Sequence, residues 1–149
     1  MKDEQAQTLQ QLAGVWRLVT TQFRGVSGKV LYPLGEDVQG LAIFDASGYM
    51  SAQLMRPDRP EFASGDQAAG SNEEIRAALQ GYTAYYGRCA VDTENKTLTT
   101  HVEGSLFPNW VGTDQVRYYQ LSRGRLTLTT PPIAFGEETF TGVLAWERA

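Results

Sequence analysis

The chain has 149 residues, a net charge of −4 and 42% hydrophobic residues, with six Phe, seven Tyr and three Trp. That length suits one domain, spanning residues 1–149, with a substantial core. The acidic balance, without a basic run, argues against nucleic acid or an anionic membrane as partner. A single cysteine, Cys89, excludes an intramolecular disulfide framework and fits a reducing compartment. No apolar run reaches signal-peptide or membrane-span length, so a cytoplasmic protein is expected.

Residues 3–13 have Leu9, Leu12 and Ala13 at helical spacing, and Gly14 ends the pattern. Residues 15–24 are rich in β-branched and aromatic side chains and read as a first strand. Regular alternation puts Trp16, Leu18 and Thr20 on one face. Residues 25–40, with four Gly and one Pro, read as a long connection. Residues 41–45 and 49–55 form a hairpin about a tight turn at Gly48. Residues 56–70 carry Pro57, Pro60, Gly65 and Gly70 and read as a loop, either a rigid salt-bridged turn or a gate.

Residues 71–80 carry a capping box, Ser71 with Glu74 three positions on, followed by an apolar stripe of Ile75, Ala78 and Leu79. Further strands are expected at 83–92, 95–104, 115–121, 125–130 and 139–148. The fold class is therefore mainly all-β. Eight antiparallel strands closed up-and-down into a barrel leave no exposed edge and enclose room for one small ligand. A short N-terminal helix and one inserted helix complete it.

The stretch 99–112 holds the only histidine. On a strand, His101 and Glu103 share a face with Thr99, a pairing suited to acid–base chemistry or to an ordinary hydrogen bond. On the following strand Gln115, Arg117 and Tyr119 share a face. If both faces turn inward, Arg117 neutralises Glu103 and leaves His101 free, since buried charges come paired. The alternative turns Leu98, Thr100, Val102, Val116 and Tyr118 inward. Gln53 with Met55, and Tyr86 with Arg88, are further candidate wall residues. Trp110 in the loop after Pro108 is a candidate lid. No zinc-like ligand cluster, Gly-x-Gly-x-x-Gly, Walker motif or Gly-x-Ser-x-Gly elbow occurs, so neither metal nor cofactor is expected.

Several of these pieces resemble one family in order along the chain. Gly14-Val15-Trp16 is similar to the Gly-x-Trp that opens lipocalin barrels. Arg17-Leu18-Val19, 48–53 (GYMSAQ), 56–60 (RPDRP), 84–87 (AYYG) and the 101–110 run resemble the bacterial and fungal intracellular lipocalin-like domain family, of calycin type. The chain departs from that pattern at Cys89, where an aromatic is expected. The resemblance implies that Arg148 stacks on Trp16 to close the barrel floor. It implies polar signature positions facing inward, and a small hydrophobic molecule as partner. It also implies a second reading, a cyclase, isomerase or dehydratase of secondary metabolism. In that reading His101 is the acid–base group, Glu103 orients it, and Arg117 with Tyr119 or Gln53 steadies an oxyanion. A barrel filled solid, serving as a structural or partner-binding module, is the third. The sequence leaves the oligomeric state open.

Overall fold

The computed structural model describes residues 2–149, the Phe135 side chain excepted. Its elements are α1 (Lys2–Leu12), β1 (Gly14–Gly25), β2 (Val30–Leu31), β3 (Gln39–Asp45), β4 (Tyr49–Met55), α2 (Asn72–Gln80), β5 (Tyr82–Asp92), β6 (Thr97–Ser105), β7 (Asp114–Ser122), β8 (Arg125–Thr129), β9 (Ile133–Phe135) and β10 (Glu138–Arg148). Eight of these strands form a closed antiparallel barrel in the order β1-β3-β4-β5-β6-β7-β8-β10, with β10 pairing back onto β1. Closure gives each of these eight strands a neighbour on both sides, so the barrel itself has no free edge strand on which another chain could add. β2 and β9 were not apparent from residue pattern. They are two- and three-residue flaps on β1 and β10, too short for any alternation to register.

The barrel has a closed floor. Trp16 is fully buried there, and its Nε1–H donates to the Leu12 carbonyl at 2.8 Å. The Arg148 guanidinium lies 4.1 Å from the Trp16 ring centroid. It donates to the carbonyl oxygens of Ala13 and Gln11 at 2.7 and 2.5 Å. Those carbonyls belong to the end of α1, where a helix leaves acceptors without an internal partner and favours a cation.

One residue of extra length in β1 reorganises its face. The register with β10 slips between Leu18 and Thr20. Below this bulge Trp16 and Leu18 point in; above it Thr21 and Phe23 do, and Thr20 points out. The shared face expected for Trp16, Leu18 and Thr20 therefore breaks at its last member, because a bulge shifts side-chain parity by one.

The inserted helix begins as expected. Ser71 accepts from the Glu74 backbone N–H and the Glu74 carboxylate accepts from the Ser71 N–H, at 3.2 and 2.8 Å. α2 packs beside β5, and its last residue, Gln80, reaches the barrel mouth. The preceding loop is tied down: Arg59 donates to the Ala78 carbonyl and stacks over Tyr82, and Arg56 pairs with Asp58. That is the rigid turn rather than a free gate. No helix among the described residues is long and apolar enough to cross a membrane.

Candidate functional site: the barrel cavity

Alternation decides what the interior offers. On β4 the buried residues are Met50, Ala52 and Leu54; on β5, Gly87, Cys89 and Val91; on β6, Leu98, Thr100 and Val102. In each case the more apolar set turns in, as burial energetics demand. β7 is different. Register pairs Leu98 with Arg117 and Thr100 with Gln115, so Gln115, Arg117 and Tyr119 share the interior with those residues.

Above the floor the barrel holds a cavity of about 820 Å³. That is within the range of small-molecule sites, roughly 300–1,000 Å³. The reading of a barrel filled solid is thereby corrected, since an open chamber remains between the walls. Ala42 and Ala52 lie on adjoining walls, with Phe44, Leu54 and Leu128 around them. Thr21 and Phe23 enter from β1 and Trp146 forms part of the base.

The polar groups of the cavity sit at two levels. Toward the mouth are Arg117, Gln115 and Tyr85. Arg117 Nη1 donates to the Val116 carbonyl at 2.8 Å, and no carboxylate among the described residues pairs with it. Burial pushes the Tyr85 phenol above its ordinary range, and the Arg117 charge and hydrogen bonding pull it partly back. Gln115 donates to the Thr113 hydroxyl at 3.2 Å. The 3-10 turn Pro108–Trp110 sets the Trp110 indole over this end, edge-on to Tyr85 at 5.4 Å and beside Phe107 at 6.1 Å. Toward the base are Thr21 and Trp146, whose Oγ1 and Nε1–H are buried without a hydrogen-bond partner among the described residues.

The expected site residues thus divide. Arg117, Gln115 and Trp110 line the cavity. Tyr119 is buried on the same face of β7, and Lys96 lies 5.9 Å over its ring. The inward placement of the others is corrected. His101 and Glu103 are exposed on the outer wall, because Thr100 and Val102 take the interior of β6. His101 Nδ1 sits 2.9 Å from the Asp114 carboxylate, its register partner across β7, with both side chains about 60% exposed. Gln53 and Met55 line a shallow outer depression, where Gln53 accepts from the Tyr82 hydroxyl. Tyr86 is 53% exposed, and Arg88 stacks outside on Tyr49 at 4.9 Å. Tyr85, Thr21 and Trp146 were not singled out. For Tyr85 the signal was available, since apolar residues alternate with it along β5. For Thr21 it was hidden by the bulge.

Cys89 is 6% exposed, and burial pushes its thiol up to about 12. A thiol so far from ionisation is not a nucleophile. Among the described residues no group of three or more His, Cys, Asp or Glu is placed to hold a metal ion.

Comparisons with known proteins find three likenesses. The profile of the lipocalin-like domain matches residues 13–149. The 4'-hydroxy-3'-methoxypropiophenone carrier protein ppsC of Aspergillus oryzae is 37% identical over an alignment of 107 residues, with 66% of this chain and 96% of that protein covered. A crystal structure of a lipocalin-like protein from Bacteroides uniformis aligns over 93% of this chain and 99% of its own, at 14% identity and a TM-score of 0.48. On the profile match over nearly its whole length, this chain belongs to the lipocalin-like domain family.

Proposed function

We propose that this protein reversibly binds a small, largely apolar organic molecule in the barrel cavity. The observation that carries the reading is the 820 Å³ chamber itself, walled mostly by apolar side chains and closed at the floor. Filling it would remove a large apolar surface from water, which is the general driving force for such binding. The name of the Aspergillus oryzae relative, a carrier of an aromatic ketone, supports a binding role over a catalytic one. So does the position of His101 and Glu103 on the outer wall, away from any molecule inside. Arg117, Gln115 and Trp110 are the residues proposed to contact the ligand near the mouth. The lone, buried Cys89 supports residence in a reducing compartment such as the cytoplasm.

Isothermal titration calorimetry with 4'-hydroxy-3'-methoxypropiophenone tests the reading. Wild type should bind, and Ala52→Phe, which projects a ring into the chamber from β4, should lose affinity at least tenfold while keeping its circular dichroism. Binding that survives Ala52→Phe unchanged places the ligand elsewhere. No heat with this ketone or with a panel of similarly sized apolar aromatics removes the reading.

A further inference from the structure

Resting on the cavity as a binding site, the distribution of its polar atoms goes further and specifies what the ligand must present. Among the described residues the cavity lining holds one cation, Arg117, beside groups that both donate and accept, Gln80, Thr83, Tyr85, Gln115 and Thr130. At the mouth level stands a guanidinium, which can only donate. Its titratable neighbours are Tyr85 on β5, with Cys89 acting on that phenol from the same strand, and Asp114 three residues earlier on β7. Asp114 is the one cavity-rim carboxylate among the described residues, and it is held by His101 on the outside. Arg117 is half-buried and has no ion pair among the described residues, so an anionic group bound beside it gains a charged partner.

The base level carries the second observation. Two indoles lie near the floor. Trp16 satisfies its N–H on the Leu12 carbonyl; Trp146, 2% exposed, leaves its own unsatisfied and borders the cavity. On the adjoining strand Thr21, 5% exposed, also borders the cavity with an unsatisfied hydroxyl. By contrast the Thr130 hydroxyl is used, accepting from the Gly142 N–H at 2.8 Å. Buried polar atoms without a partner are rare; Tyr119 Oη and Arg59 Nε share that state away from the cavity lining, whereas Trp146 and Thr21 border the chamber, where a molecule inside can meet them.

We infer that the cavity selects a flat apolar molecule with an acceptor oxygen at each end: an oxyanion, such as a phenolate or enolate, against Arg117 and Tyr85, and a neutral carbonyl or ether oxygen against Trp146 and Thr21. Two separated acceptors also fix which end enters first. A ligand with a single oxygen gains only one of the two contacts.

7-Hydroxycoumarin is a suitable probe. It has an ionisable phenol at one end and a lactone carbonyl at the other, and its excitation spectrum distinguishes phenol from phenolate. 7-Methoxycoumarin keeps the shape without the anion, and 2-naphthol keeps the phenol without the carbonyl. On wild type the bound phenol should ionise at least one pH unit lower than in solution, as a cation within a few ångströms requires. Arg117→Gln should abolish that shift and weaken 7-hydroxycoumarin roughly 10- to 100-fold, the worth of a charged hydrogen bond, while 7-methoxycoumarin binds as before. Arg117→Lys should retain most of the shift. Trp146→Phe should weaken both coumarins roughly 2- to 12-fold, the worth of one neutral hydrogen bond, and leave 2-naphthol unchanged. If 7-hydroxycoumarin binds in its neutral form with the same affinity as its ether, the two-ended inference is overturned and the apolar cavity stands. An equal loss of all three probes in Trp146→Phe overturns the base-level contact, since that is damage to packing. If wild type holds none of the three, the inference falls, and the calorimetry above decides separately whether the chamber binds anything.

Discussion

Alkaline pH should unmask Cys89. Its folded-state thiol ionises near 12, against 9.0 for the free group, so the folded protein holds this proton more tightly than the unfolded chain. A raised value gives stability that is complete below pH 9 and is lost as pH climbs toward 12. The full loss is about 4 kcal/mol, at about 1.4 kcal/mol per pH unit. Between pH 8 and pH 10 the unfolded thiol goes from mostly protonated to mostly ionised, which takes about 1.4 kcal/mol from wild type. Cys89→Ala has no such proton. Its constant packing penalty aside, its stability should therefore fall less over the same interval, and the gap between the two proteins should close by about 1.4 kcal/mol. Urea titrations at pH 8, 9 and 10, followed by circular dichroism, measure this directly. A chromogenic disulfide reagent at pH 8 gives an independent check: the thiol should react only as fast as the barrel opens. Parallel stability curves for the two proteins, or instant thiol titration in native buffer, would refute the reasoning.

Arg148→Ala removes a ring stack and two hydrogen bonds to the end of α1, and should lower urea stability by about 1–3 kcal/mol. Arg148→Lys should recover less than half, since an ammonium cannot fork between two carbonyls. His101→Ala should change stability by less than about 1 kcal/mol, as the exposed pair with Asp114 is worth little, and should move the affinity for 7-hydroxycoumarin less than about twofold. Gly87→Ala should be severe, about 3 kcal/mol or more by urea titration, because an added Cβ would strike the backbone carbonyl of His101 where β5 and β6 press together. A mild effect there would mean that the β5–β6 slip between Tyr86 and Gly87 is looser than its geometry implies.

The container was largely legible in the amino-acid pattern. The eight barrel strands and both helices lie within a few residues of where alternation, turn residues and the Ser71–Glu74 box put them. The contents were legible only in part, for one physical reason. Deciding which of two faces points inward requires register, and register is a property of pairs of strands. Choosing the more apolar face would have turned Met50, Ala52 and Leu54 inward, and with them Tyr85, Thr100 and Val102. Favouring polar signature positions instead misplaced Gln53, Tyr86, Arg88, His101 and Glu103. Yet the apolar rule alone would have missed β7, where Arg117 and Gln115 face in. Local pattern and global placement disagree at that strand, and such conflicts are where function is expected to reside. The slip after Leu18 was illegible for a different reason. Nothing in Val19 or Thr20 marks a bulge, which arises from fitting β1 against β10 at the floor.

That slip separates two jobs that one strand must do. Below it, Trp16 and Leu18 belong to the plug; above it, Thr21 and Phe23 belong to the chamber. Without the extra residue the alternation would carry Thr20, Gln22 and Arg24 inward, and a second cation would enter the chamber. The bulge acts as a phase shift between two independently readable segments. The plug can keep its tryptophan and arginine while the residues beyond the shift vary with the molecule to be held. In this barrel, ligand preference and closure can diverge along a single strand without disturbing one another.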